Sequence, residues 1–174
     1  MNKMFLTLIL MFSVLGTESF SKDWNGIVPC VSTRSEVEKK IGSDDYREPG
    51  LWGSYRYKKL SISIYYEKRD KALRGTDIVT YIEVNPDPNK SMPLAKYVKN
   101  IPNFSKEFRK REMDPKITHI RYLAHYFNAA EGFEITVQKN DDDIEVIDSF
   151  GYYGLDSDCS KLPPASPASS STKF

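Results

Sequence analysis

The eleven residues Ser32 to Gly42, S-T-R-S-E-V-E-K-K-I-G, decide how the rest of the chain is read. Thr33 can accept a hydrogen bond from the backbone N–H of Glu36 while the Glu36 carboxylate reaches back to the N–H of Thr33, the reciprocal pattern of a capping box. Val37 and Ile41 fall four apart on one face, with Arg34, Glu38, Lys39 and Lys40 elsewhere, and Gly42 can take the left-handed conformation that closes a helix. The result is barely two turns, too short to persist alone because nucleation fixes several dihedrals for one hydrogen bond. It therefore requires a larger surface against which Val37 and Ile41 can dock.

The chain beyond it reads as that surface. Tyr55 to Lys58, Leu60 to Tyr66 and Ile78 to Val84 are expected strands; in the second, Leu60, Ile62, Ile64 and Tyr66 alternate with Ser61, Ser63 and Tyr65. Trp52 is expected to cap the sheet, and Pro86 ends the third strand because it cannot donate to a ladder. Ser91 to Met113 turns helical, with Leu94, Tyr97, Val98 and Ile101 at i, i+3, i+4 and i+7 and another turn or two through Phe104 and Phe108. Ile117 to Phe127, Gly132 to Lys139 and Asp143 to Phe150 are strand-like in β-branched and aromatic content, and their short connections require antiparallel pairing. The expected fold is α+β: short helices on an antiparallel meander, as two tandem helix-plus-three-strand units, residues 22–90 and 91–160.

Before that domain, residues 1–21 read as a secretory signal peptide: Lys3, an apolar run from Met4 to Gly16, and a small-residue exit cleaved after Ser21, with Ser19 as the alternative. After it, residues 161–174 form a Pro/Ser-rich tail with too little apolar surface to offset ordering entropy. The expected mature protein is exported, periplasmic or secreted, with no transmembrane segment left after cleavage. A formal charge of +1 over 174 residues lacks the basic excess of a nucleic-acid binder. In an oxidising compartment the two cysteines, Cys30 and Cys159, are read as a disulfide in preference to two free thiols.

The segment from Ile27 to Gly42 resembles the opening of the small outer-membrane-assembly lipoprotein domain, the BamE or SmpA/OmlA type, in which a short capped helix ending V-x-x-x-[LI]-G precedes a meander. More broadly, W-x-G-I-V-P-x-x-S-T-R-x-x-V-E is similar to the mature start of a group of uncharacterised, signal-peptide-bearing bacterial proteins that also share the Tyr126 to Gly132 and Asp156 to Cys159 segments. The doubled arrangement resembles a β-lactamase-inhibitor-like module. These resemblances imply helices on an antiparallel sheet and an envelope-side, protein-binding role without enzymatic activity.

Catalytic patterns are sparse. His119 and His125 are the only histidines; on one strand they would stand about 20 Å apart and could not share a metal. No G-x-S-x-G nucleophile motif occurs. Asn140 to Asp143 with Glu145 offers carboxylates that calcium favours, yet lacks the EF-hand spacing and glycine, and reads as a solvated hairpin turn. No cofactor or metal site is expected. The basic residues Lys106, Arg109 and Lys110, projected from a helix, form the candidate interaction patch, weighed against a solvated face balanced by the acidic Asp141 to Asp148 region. The functional expectation is a non-enzymatic module that binds an unidentified protein partner. The alternatives are a secreted inhibitor of an exported enzyme, or a hydrolase using His119 or His125 beside a carboxylate.

Overall fold

Helix α1, Arg34–Ile41, forms with both halves of its capping box in place. Thr33 is extended, the Glu36 N–H donates to Thr33 Oγ1 at 3.3 Å, and the Thr33 N–H donates to Glu36 Oε2 at 2.8 Å. Gly42 closes the helix at φ 99° and ψ 178°, outside the left-handed helical well but in a region only glycine enters without strain, and its N–H donates to the Glu38 carbonyl. Val37 and Ile41 are buried against Ile27, Tyr55, Ile62 and Ile64, each contributing about 1.5–3 kcal/mol relative to exposure. The computed structural model describes residues 21–43, 52–67, 77–87, 90, 92–114 and 123–160. Nearly all of the expected leader, His119 and the expected tail lie outside the described residues.

The first half continues as a meander of β1 (Trp52–Tyr57), β2 (Leu60–Glu67) and β3 (Ile78–Asn85). In the second half, α2 (Leu94–Val98) and α3 (Phe104–Glu107) precede β4 (Arg109–Glu112), β5 (Leu123–Asn128), β6 (Phe133–Lys139) and β7 (Glu145–Tyr153), and α4 (Asp156–Cys159) follows. One antiparallel sheet of seven strands results, ordered β1-β2-β3-β7-β6-β5-β4, with the halves joined where β3 pairs with β7.

Two expectations are corrected. The helix read from Ser91 to Met113 is two short pieces: Asn103 takes a left-handed conformation, and Phe108 is extended, which turns Arg109–Glu112 into a strand. Its charged residues carry no apolar stripe to hold a helix down, while β5 offers a ladder that satisfies their backbone groups. The last strand runs past Phe150 to Tyr153 because Gly151, Tyr152 and Tyr153 pair with β3.

The pairing pattern of the first half recurs in the second. Thr33, which caps α1, bridges Ile78 at the start of β3; Pro93, which precedes α2, bridges Val146 near the start of β7. Val79 donates to the Ser32 carbonyl and Ile147 to that of Met92. Thr80 is the bulged residue of the β2/β3 pair and Asp148 that of the β6/β7 pair, the same number of residues beyond the two bridges. At the seam Glu83 faces Gly151, again matching positions, so a pseudo-twofold axis passes between them. Each half has its own buried cluster, and Phe150 and Tyr152 pack against both.

The lead-in is held to both halves. Cys30 donates its N–H to the Val79 carbonyl and its sulfur to a disulfide with Cys159, with Cα atoms 4.9 Å apart. Gly154 lies beneath the bridge: a Cβ there would stand 2.2 Å from Cys30 Sγ and 2.4 Å from Cys159 Sγ. Among the described residues no helix is long and apolar enough to cross a membrane.

Candidate interaction face of the sheet

Helices α1, α2 and α3 pack on one face of the sheet, over Tyr55, Ile62, Ile64, Phe133, Ile135 and Val137. Alternation sends the intervening residues to the other face, hereafter the open face. Register brings four aromatic residues into one line there. Trp52 on β1 lies opposite Tyr65 on β2, Tyr65 opposite Tyr81 on β3, and Tyr81 opposite Tyr153 on β7. Trp52 and Tyr65 are 40% and 41% exposed, large values for aromatic side chains, and the Tyr65 and Tyr81 rings meet at 5.6 Å between centroids. Trp52 therefore stands on the open face and does not cap the core.

The neighbouring line runs Arg109, Phe127, Glu134, Gly151, Glu83, Ser63 and Ser54 across the whole sheet. Gly151 is its floor. Its φ needs no glycine, but a Cβ at that position would lie 2.5 Å from Glu134 Cγ and 2.5 Å from Tyr81 Oη. The missing side chain lets Tyr81 reach from one half and Glu134 from the other, so that the Tyr81 hydroxyl donates to Glu134 Oε1 at 2.7 Å.

Burial pushes the Tyr81 phenol well above the usual tyrosine range, and the adjoining Glu134 carboxylate adds to the rise. Burial also raises Tyr153, helped by Glu134. Glu83 is held above the ordinary carboxylate range, first by burial and then by Asp148 and Glu134, against the lowering effect of a hydrogen bond from Ser149. Two partly buried carboxylates thus share the middle of the open face.

His125 belongs to this face, paired with Thr136 and Arg111 in adjacent strands. A cavity of about 380 Å³ is lined by Arg111, Met113, His125, Phe127, Glu134 and Tyr153. Within it His125 Nδ1 is 3.9 Å from Glu134 Oε2, outside hydrogen-bond reach, and 3.2 Å from Thr136 Oγ1. None of these lining residues is a serine, cysteine or threonine.

The basic residues expected to act together are dispersed. Lys106 sits on α3, whereas Arg109 and Lys110 sit on β4, where alternation sends them to opposite faces. Lys110 lies on the helix-covered side, 2.8 Å from Glu145 and 3.2 Å from Glu112, and the Tyr126 hydroxyl donates to the same Glu145. Lys106 and Arg109 line a cavity of about 650 Å³ with Glu107 and Glu131, and Glu131 is paired with Lys22 at 2.9 Å. The Asn140 to Asp143 segment is a hairpin turn in which the Asn140 side-chain oxygen accepts from the N–H groups of Asp142 and Ile144. Among the described residues no group of three or more His, Cys, Asp or Glu side chains could hold a metal ion.

Sequence reading passed over Arg34 and the Tyr81–Glu134–Gly151 contact. The apolar spacing of Val37 and Ile41 leaves Arg34 off their face, yet it is 1% exposed, with its guanidinium 3.8 Å from the Tyr66 ring centroid and its Nε 3.4 Å from Asp77 Oδ2. The contact over Gly151 joins residues 53 positions apart in sequence, for which local periodicity carries no signal. No family model, no curated protein and no solved structure matches the chain.

Proposed function

We propose that this chain is an exported, non-enzymatic interaction module that holds a protein partner on the open face of its sheet, on the envelope side or outside the cell. The observation that carries this reading is the line Trp52, Tyr65, Tyr81 and Tyr153, held in register across four strands on the face away from the helices. Core packing does not account for exposing Trp52 and Tyr65 there, and aromatic side chains of this kind dominate the energetics of protein interfaces. The leader, the disulfide and the resemblance to envelope-side modules support the location. The hydrolase alternative finds less support, because Glu134 is engaged by Tyr81 and lies beyond hydrogen-bond reach of His125.

The test is capture from exported-protein extract by the immobilised chain. A partner retained by the wild type and by Lys106→Ser, but lost with Tyr65→Ser, is the expected outcome. Equal retention by every variant removes the open face from the interaction. Capture that survives His125→Ala separates binding from any chemistry at that residue.

A further inference from the structure

Strand β4 carries its positive charges in two different states. Lys110 points to the helix-covered side and is paired with Glu145 and Glu112. Arg109 and Arg111, its neighbours on the open face, are exposed, and among the described residues neither guanidinium has a hydrogen-bond or ion-pair partner. The turn from helix to strand at Phe108 is what aligns them. Residues two apart on a helix do not face each other, whereas two apart on a strand they share a side at a spacing of about 6.7 Å.

Beneath them the open face is hollow. Arg109 and Arg111 oppose Phe127 and His125 of β5. Phe127 lines both the cavity that Arg109 borders and the one bordered by Arg111, Met113, His125, Glu134 and Tyr153. Met113 continues the line of β4, because its N–H donates to the Leu123 carbonyl. The open side of the strand therefore reads Arg109, Arg111, Met113: cation, cation, apolar. The second cavity, about 380 Å³, has room for a side chain of leucine size against Met113 and Phe127.

The spacing of the guanidiniums selects the form of their ligand. An extended polypeptide repeats its same-side side chains at that same interval. Carboxylates on alternate residues can then meet both arginines at once, each accepting two parallel N–H bonds. A uniformly anionic polymer fits less well, because Glu107, Glu131 and Glu134 line the same two cavities. A second copy of this chain fits less well too, since Asp141, Asp142 and Asp143 are consecutive residues of a turn and not alternate residues of a strand.

We infer that the β4 margin of the open face docks an extended segment of the partner with the pattern acid-x-acid-x-apolar. Its carboxylates pair with Arg109 and Arg111, and its apolar side chain enters the cavity beside Met113 and Phe127. This rests on the reading of the open face as the interaction surface and names the chemistry that its margin selects. Covering the arginines with the partner removes water from pairs that would count for little in solvent, and complementary charge fixes the register of the segment.

The isotope-labelled chain is titrated with acetyl-Glu-Thr-Glu-Thr-Leu-amide to millimolar concentration while backbone amide shifts are followed. Saturable shifts at Arg109, Arg111, Met113, His125 and Phe127 are expected. Affinity falls at least about tenfold when both glutamates of the peptide become glutamine, and by a similar factor in the double variant Arg109→Gln with Arg111→Gln. Both arginines are exposed and hold no bond of the fold, so that variant keeps its amide spectrum away from β4. The proposal is overturned by an absence of shifts on β4, by equal affinity for the glutamine peptide, or by equal affinity for acetyl-Glu-Glu-Thr-Thr-Leu-amide, in which the acids are adjacent. It is also overturned if a heparin-derived oligosaccharide shifts the same resonances and the peptide does not. Shifts on β4 that grow with the concentration of the chain alone overturn it as well, by making a second copy the occupant. Should the peptide fail while Tyr65→Ser still abolishes capture of the partner, the face stands and the acidic segment alone is lost.

Discussion

Arg34 shows how one side chain can be read as a surface residue and yet anchor a half-domain. It occupies the first position of α1, stacks on Tyr66 of β2 and pairs with Asp77 just before β3, while its own N–H donates to the Asp77 carbonyl. Tyr66 in turn shares a 2.6 Å hydroxyl contact with Tyr55 of β1, so one buried group joins the helix to three strands. Arg34→Ala leaves the Asp77 carboxylate buried without its cation, and the expected loss is about 3–5 kcal/mol in chemical denaturation. Arg34→Met with Asp77→Leu removes both charges and recovers most of that loss. A cost under about 1 kcal/mol for Arg34→Ala would mean that the pair is solvated in solution.

At the scale of elements, helices reveal themselves in sequence where their caps are local. Every group of the α1 capping box lies within four residues, which is why its start and its stop are legible directly, and Thr33→Ala is expected to cost about 1 kcal/mol. Glu36→Ala removes the other half of the box, and the double variant should lose less than the sum of the two because the bonds are reciprocal. Denaturation midpoints of the three variants check both statements. The strands of the first half were legible for the same reason, since Ile62, Ile64 and Tyr66 are buried and alternate with less buried residues. Arg109–Glu112 was not: four exposed charged residues hold no periodic signal, and only the unpaired edge of β5 makes them a strand. The same charges then blunt that edge against further pairing. The candidate site lay deeper still, because the aromatic line depends on three registers that no single stretch encodes. Its ingredients, tyrosines at alternate positions opposite buried isoleucines, were visible; their alignment was not.

For the whole molecule, the disulfide closes a separation of 129 residues, and the chain-entropy model assigns such a loop about 4–5 kcal/mol as an upper figure. Cys30→Ser with Cys159→Ser is therefore expected to lower the midpoint of thermal unfolding while leaving the far-ultraviolet circular dichroism spectrum at low temperature unchanged, since the ladders and both clusters do not include the bridge. Loss of the strand signal at low temperature would show instead that the bridge is required for the sheet to form. Gly154→Ala probes the same region, because the added methyl group contends with both sulfurs.

Lys22 donates to the carbonyl of Glu131, and Cys30 is bonded to Cys159. The two ends of the described chain therefore meet at one corner of the molecule. A pull applied through both ends is borne by a covalent link near that corner and does not load the strands in between. The sheet is mechanically short-circuited while oxidised, and reduction is what would expose it to tension.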